Sequence, residues 1–297
     1  LSQPLLDLSI EKFDFLSAKV DTIYHCAALL NFVYPYSAVK AINVLGTQEI
    51  LRLASRIKRK PVHHVSSIAV FESTAYTGKV IEETDSFDDY EGIFVGYSQT
   101  KWVSEKLVKI AATRGLPVTI YRPPLIGGHS KTGVSNTEAL FCLILKGCVQ
   151  MKAFPIIDYW LDMSPVDYIS SSIVYLSQQP SSISKAFHLQ NPQPIHFNEL
   201  VNWISKLGYD IEKISYENWL NRLQTNAYSS DNSLYALKPY LLQRWTEERL
   251  TTTELYMQTK RPAKISCKQT LDALSSSDIV CPALDARLFS KYLSYLF

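Results

Sequence analysis

Short apolar runs alternate with longer amphipathic stretches through the first 126 residues. Three runs have the length and composition of buried strands: residues 20–26, 61–67 and 117–122. The two stretches between them repeat apolar positions at helical spacing, and Gly115 is placed to end the second helix. Strands and helices in this order predict an α/β fold with a parallel sheet and right-handed crossovers.

The alternation ends near residue 126, where a different arrangement begins. The later segments are predicted as a helix at 136–149, a helix from about 167 to 178, a strand at 186–189 and a helix capped by Asn198. We therefore expect two domains, residues 1–125 with the sheet and residues 126–297 as a smaller, mostly helical lobe. Residues 162–190 are expected to return to the sheet.

Two further segments have simple local signals. Ser9 is a predicted N-cap for a short helix ahead of the first strand. Residues 72–95 are polar and acidic, which predicts a solvated surface loop.

Composition indicates a soluble enzyme-sized protein rather than a nucleic-acid or membrane protein. The 297 residues are 46% hydrophobic and 20% charged, with a net charge of +2 that gives nucleic acid or an anionic membrane little to bind. Five cysteines, without a Cys-x-x-Cys, favour free thiols in the reducing cytoplasm and no metal site. Because no apolar run approaches 18 residues, no membrane span is expected, and we predict a cytoplasmic protein.

Tyr97 and Lys101 form the most suggestive pair of reactive side chains. Residues four apart share a helix face, and a cation about 4–5 Å from a phenol favours the phenolate by about 2–3 pKa units. The pair could therefore move a proton at a substrate oxygen near neutral pH. The chain contains four Tyr-x-x-x-Lys pairs, so the spacing alone does not identify a site.

Residues at the predicted strand ends supply the missing context. Ala27 and Ala28 follow the first strand, where small side chains let a flat ligand lie against the backbone, although core packing would also explain them. Ser67 ends the second strand. Asn43 interrupts an apolar helix face, either as a solvent-facing or capping residue or as a buried amide that holds the backbone near a site.

Together these residues resemble the extended short-chain dehydrogenase/reductase family. Ser67, Tyr97 and Lys101 match its catalytic triad. The run from His25 through Ala27 and Ala28 matches the stretch that lies against the nicotinamide cofactor, and Asn43 matches the asparagine that supports that stretch.

A closer resemblance is to the thioester reductase domains that end nonribosomal peptide synthetases and polyketide synthases, especially of the cyanobacterial type. The matching runs cover nearly the whole chain: residues 31–37, 43–54, 96–108, 115–137, 162–170, 185–204 and 281–282. The resemblance implies a Rossmann-like, doubly wound sheet, NADPH as cofactor, and an acyl or peptidyl thioester on the phosphopantetheine arm of a carrier protein. Ser67 and Tyr97 would bind the carbonyl oxygen, Tyr97 would protonate it, and Lys101 would lower the phenol pKa and hold the nicotinamide ribose. The product would be an aldehyde or, after a second round, an alcohol.

Two departures from the family pattern affect this expectation. The chain has no Gly-x-Gly-x-x-Gly, and residues 1–6 resemble the sequence that follows the third strand of the family. The first strands and the glycine-rich turn are therefore expected to be absent, and the chain as given is expected to bind NADPH poorly and to be inactive. Pro123 and Pro124 also stand where the family has Pro-Gly, and Pro124 would weaken the contact with the nicotinamide or reshape the loop.

Alternative functions share some of these features. The same triad serves nucleotide-sugar epimerases and dehydratases, and a soluble fatty acyl-CoA reductase would differ only in the thiol that carries the acyl chain. An inactive, truncated relic is the non-enzyme alternative. Residues 151–161 are expected to pack in the core of the lobe or to line an acyl channel.

Overall fold

The structure, a computed structural model, describes residues 1–226, 231–245, 247, 249–258 and 263–297. These residues form two compact units. The first unit consists of Leu1–Pro124, Ser171–Gln190 and residues 263–279. The second unit consists of Leu125–Ser170, the described residues from Asn191 to 258, and Val280–Phe297.

The α-helices of the described residues lie in both units. They are α1 (Ile10–Lys19), α2 (Tyr36–Lys40), α3 (Gly46–Ser55), α4 (Gly96–Thr113), α5 (Leu140–Gln150), α6 (Val166–Ser177), α7 (Phe197–Lys206), α8 (Tyr216–Asn226), α9 (Lys238–Leu242), α10 (Thr252–Gln258), α11 (Lys268–Leu274) and α12 (Ala286–Leu296). Short 3₁₀ turns occur at Pro4–Asp7, Ile68–Phe71, Thr74–Tyr76, Pro180–Ser182 and Tyr235–Leu237.

The strands of the described residues are short. They are β1 (Ile23–His25), β2 (Val62–Val65), β3 (Val80–Ile81), β4 (Val118–Arg122), β5 (Leu125–Gly127), β6 (Ala153–Ile156), β7 (Trp160–Leu161), β8 (Met163–Pro165), β9 (Ala186–His188), β10 (Ile195–His196), β11 (Glu212–Ser215), β12 (Arg244–Trp245), β13 (Leu250–Thr251) and β14 (Lys264–Ile265).

A parallel four-stranded sheet in the order β1-β2-β4-β9 is the centre of the first unit. Every residue of β4 is buried, as a central parallel strand covered on both faces requires. Helices α1, α3 and α4 contribute Phe13, Leu53 and Val108 to a core that includes Val118 and Ile120 of β4. The parallel α/β fold predicted from the sequence is confirmed.

Local sequence signals account for several of the helix boundaries. The Ser9 hydroxyl accepts a hydrogen bond from the Lys12 N–H, so the predicted cap of α1 is present. Gly115 has φ +89° directly after the last turn of α4. At α7 the predicted cap was wrong by two residues, because the His196 ring accepts from the Asn198 N–H and the helix begins at Phe197.

The acidic segment 72–95 departs from the solvated loop that the sequence predicted. Glu83 is buried, and its carboxylate accepts from both the backbone N–H and the hydroxyl of Thr270, each at 3.0 Å. Phe71 and Phe87 form a small apolar cluster in the same region. The acidic composition of the segment gave no sign of these buried contacts, which hold it within the first unit.

The second unit has paired short strands around a large apolar core. β5 pairs with β8 and β6 with β11 in parallel, whereas β7 pairs with β10 and β12 with β13 in antiparallel fashion. Met151, Phe154 and Leu161 are buried in this core, which favours packing over an acyl channel for residues 151–161. No helix among the described residues combines the length and the apolar character that crossing a membrane requires.

Candidate active site

The candidate residues lie where the parallel strands of the first unit end. The carboxyl ends of β1, β2 and β4 meet at one edge, which is where open α/β sheets bind ligands. The Ser66 N–H donates to the Tyr121 oxygen at 2.7 Å, and the Ile68 N–H donates to the Pro123 oxygen at 3.1 Å. These bonds place the Ser67 turn directly beside the end of β4.

Ser67 is held by the turn that it begins. Its hydroxyl accepts from the Ala69 N–H at 3.1 Å and caps the 3₁₀ turn Ile68–Phe71. The same side chain lies close enough to the Tyr97 phenol to lower its pKa. Ser67 and Tyr97, predicted as catalytic partners, therefore meet at this edge of the sheet.

Tyr97 occupies the first turn of α4, which approaches the backbone of the 34–36 segment very closely. A Cβ on Gly96 would lie 2.5 Å from the Tyr34 carbonyl oxygen, so glycine is needed here for close approach rather than for an unusual dihedral angle. The half-buried phenol ring lies 5.7 Å from the Phe32 ring.

The expected lowering of the Tyr97 pKa by Lys101 is not what the structure shows. Burial raises the pKa of Tyr97 above its usual value, and the neighbouring Glu72 carboxylate raises this pKa further. The Ser67 hydroxyl beside the phenol lowers this pKa and so acts in the opposite direction. At neutral pH the phenol therefore keeps its proton.

Lys101 is buried and its ammonium is directed to the end of β2. Its Nζ donates to the Val65 carbonyl oxygen at 2.7 Å. Burial lowers the pKa of Lys101 to about 8, while the Glu105 carboxylate and then Cys26 favour the charged form. The side chain is thus a cation at neutral pH that loses its charge within a mildly alkaline range.

Asn43 is a buried amide that holds the loop after β1. It lies in a single π turn, Ala41–Leu45, between α2 and α3. Its Oδ1 accepts from the Leu29 N–H at 2.7 Å, and its Nδ2 donates to the Leu29 oxygen at 3.1 Å and to Thr100 Oγ1 at 2.9 Å. The structure thus favours the buried-amide alternative, and contact with a cofactor stays a prediction.

The remaining cofactor candidates differ in their exposure. Ala27 and Ala28 are exposed and leave the backbone at the strand end open, as a flat ligand would require. His25 is buried against Thr47, and burial, followed by the Lys101 charge, lowers the pKa of its imidazole to about 4. Pro123 and Pro124 are buried, so their predicted contact with a cofactor remains a prediction.

Sequence reasoning missed two acidic residues at this site, Glu72 and Glu105. Glu72 follows the Ser67 turn and has a pKa that burial raises to about 7, while the nearby Ser98 lowers this pKa. Glu105 forms a fully buried ion pair with Arg122, 2.6 Å between Nη2 and Oε1. The position of Glu105, one helical turn after Lys101, was the signal that could have pointed to it.

The site offers a phenol that retains its proton, a hydroxyl beside it, and a buried ammonium at the same sheet edge. This arrangement can bind and protonate an oxygen on which negative charge develops. Among the described residues, no group of three His, Cys, Asp or Glu side chains is arranged to hold a metal ion.

Comparisons with known proteins show the family of this chain. Residues 1–173 match the model of an NAD-binding family described as "Male sterility protein". The chain is 37% identical over 298 residues to one of the subunits of the linear gramicidin synthase of Brevibacillus parabrevis, covering 99% of this chain and 6% of that protein.

Solved structures agree with the sequence comparison. The terminal R domain from the myxalamid PKS-NRPS biosynthetic pathway superposes with a TM-score of 0.90 at 44% identity, covering 99% of this chain and 72% of that one. A thiolation-reductase di-domain from an archaeal non-ribosomal peptide synthetase superposes with a TM-score of 0.76 at 22% identity, covering 99% and 60%, and shows the shared fold.

Proposed function

The chain belongs to the NAD-binding "Male sterility protein" family, among the thioester reductase domains of the extended short-chain dehydrogenase/reductases, and we propose that it reductively releases a carrier-bound acyl or peptidyl thioester. The proposed cofactor is NADPH and the proposed first product is an aldehyde. The observation that carries the proposal is that Ser67 lies beside Tyr97, with Lys101 at the same edge of the sheet.

The residues at the sheet edge fit a nicotinamide cofactor. Ala27 and Ala28 leave room against the backbone, and Asn43 fixes the Leu29 backbone that follows them. Lys101, whose ammonium donates to the Val65 carbonyl oxygen, would also hold a ribose hydroxyl. When bound, the cofactor would supply a hydride for the thioester carbonyl carbon.

Ser67 and Tyr97 perform the remaining chemistry. Their hydroxyl groups donate hydrogen bonds to the carbonyl oxygen, where negative charge builds up as the carbon becomes tetrahedral. The Tyr97 phenol then gives its proton to this oxygen as the oxygen becomes an alkoxide. Collapse of the resulting hemithioacetal breaks the C–S bond and releases the carrier thiol and the aldehyde.

The proposed partner is a carrier protein with a phosphopantetheine arm. Its support is the likeness to a gramicidin synthase component and to reductase domains of NRPS and PKS pathways. Matched acyl-carrier, acyl-CoA and nucleotide-sugar substrates distinguish this proposal from the acyl-CoA reductase and epimerase alternatives. Turnover only with the carrier thioester is the expected result.

The decisive variant is Tyr97→Phe, made in the complete reading frame that contains these 297 residues. We expect NADPH oxidation with the carrier thioester to fall by about 100- to 10,000-fold, the usual share of a general acid, while NADPH binding is retained. Tyr209→Phe is a matched control, because Tyr209 has the same spacing to Lys213 but lies in the second unit. Unchanged turnover in Tyr97→Phe would refute the proposed role.

A further inference from the structure

A buried charged network lies behind the candidate active site, within the first unit. Glu105 and Arg122 have no exposed side-chain surface. The Arg122 Nη2 donates to Glu105 Oε1 at 2.6 Å, and its Nε donates to Oε1 and Oε2 at 3.1 and 3.3 Å. The guanidinium therefore binds the carboxylate in a bidentate way, through Nε and Nη2.

The network extends to two more strands. The Ser66 hydroxyl donates to Glu105 Oε2. Arg122 Nη1 lies 2.9 Å from His188 Nε2, and His188 Nδ1 lies 2.7 Å from the Ser266 carbonyl oxygen. Since Arg122 and the carbonyl leave only one choice of tautomer, His188 is neutral, donates from Nδ1 and accepts at Nε2.

Three members of the network adjoin predicted site residues. Ser66 precedes Ser67, Glu105 lies one turn after Lys101 on α4, and Arg122 precedes Pro123. A buried ion pair is costly to desolvate and is weak evidence for stability. Its position at the junction of β2, α4 and β4 instead suits the alignment of the groups that these elements carry.

We propose that Glu105 is a positioning residue for the reaction, which orients the Ser66–Ser67 turn against α4 and places a negative charge beside the Lys101 ammonium. The inference rests on the proposed function. Through Ser66 the carboxylate holds the turn that presents the Ser67 hydroxyl to Tyr97. Through its charge it keeps Lys101 protonated despite burial.

The other groups that face Lys101 do not replace this charge at neutral pH. His25 and His64 are neutral in their buried positions, and Tyr97 keeps its proton. Cys26 favours the ammonium only as a thiolate, and burial raises the pKa of its thiol. Glu105 is therefore the source of negative charge that acts on Lys101 from the elements around it.

The test replaces Glu105 by Gln, which keeps the shape of the side chain and removes its charge. We expect the ε-carbon NMR signal of Lys101, assigned with Lys101→Arg, to titrate about one pH unit lower, a tenfold loss of charged lysine at a given alkaline pH. The alkaline limb of kcat with NADPH and the carrier thioester should move by the same amount. Glu49→Gln is the matched control, since Glu49 is also buried and paired with an arginine but lies away from Lys101.

A folded Glu105→Gln variant with unchanged Lys101 titration and an unchanged pH profile overturns the proposal. If this variant fails to fold, Ser66→Ala decides, because it removes the hydroxyl bond and leaves the ion pair. Turnover should then fall about tenfold with Lys101 titration unchanged, and full turnover overturns the positioning role. The NMR titration needs no substrate, so failure of the proposed function would be visible separately in Tyr97→Phe.

Discussion

Replacement of Asn43 by Ala tests how firmly the loop after β1 is held. The amide is buried and makes three hydrogen bonds, two to the backbone of Leu29 and one to Thr100. Thr100 keeps its own bond to the Tyr97 carbonyl oxygen in the variant, so the loss is concentrated at Leu29.

The expected loss in free energy of unfolding follows from those three hydrogen bonds. Each contributes about 0.5–1.5 kcal/mol net, which gives about 2–4 kcal/mol for the set. Leu29 is partly exposed, so water can replace some of the lost contact and we expect the lower half of that range. Asn43→Asp should cost at least as much, because a carboxylate would face the Leu29 carbonyl oxygen and would be buried without a cation bonded to it.

Amide hydrogen exchange is the assay that resolves this effect. Exchange at the Leu29 N–H should accelerate by about 30-fold or more, and thermal unfolding should report the loss in free energy. Asn31→Ala is the matched control. Asn31 Oδ1 likewise accepts backbone hydrogen bonds, from the Val33 and Tyr34 N–H groups, but these bonds are exposed to solvent. Equal protection of the Leu29 N–H from exchange in wild type and Asn43→Ala would refute the idea that Asn43 holds this loop.

Two further predictions concern stability. Because burial lowers the pKa of His188 to about 3, the folded protein binds fewer protons than the unfolded chain below pH 6.5, and this contribution to stability is lost as the pH falls towards 3. Urea unfolding of wild type and His188→Gln between pH 4 and 6.5 measures this effect. The difference between their free energies of unfolding should shrink by about 1.4 kcal/mol for each pH unit of acidification. A constant difference would contradict a neutral buried imidazole. Gly96→Ala should destabilise by about 1–3 kcal/mol and lower turnover, because its Cβ would meet the backbone of Tyr34 and Tyr36 at 2.5 and 2.6 Å, whereas Gly46→Ala should cost little in the same thermal unfolding assay.

The hydrophobic pattern was sufficient for the first unit because its strands and helices follow the simplest periods. β2 and β4 are buried runs between amphipathic helices, and parallel pairing then brings Ser67 and the end of β4 to one edge without further information. Periodicity alone could not place residues 263–279, which the sequence pattern assigned to the second domain. Within the first unit they pair with β3 through β14 and bond Glu83 through Thr270, contacts between segments far apart in the sequence.

The supporting residues were harder to predict than the reactive ones. Glu105, Arg122 and His188 are charged or titratable residues, which usually signal solvent exposure, and all three are buried. Burial of such residues depends on partners that are distant in sequence, and a single chain does not reveal them. The same reason explains why Glu72 was assigned to a solvated loop.

The Tyr97 pKa shows how this limit affects a mechanism. Sequence spacing made Lys101 the expected partner of the phenol, yet its ammonium donates to Val65 and the Ser67 hydroxyl provides the favourable contact. A phenol whose pKa is raised is a poor base at neutral pH, but it remains able to protonate an alkoxide-like oxygen. That asymmetry suits reduction of a carbonyl carbon better than oxidation of an alcohol, since oxidation would require the phenolate. The size of the rise in the Tyr97 pKa depends on Glu72. This carboxylate loses its charge below its pKa of about 7 and then no longer raises the Tyr97 pKa.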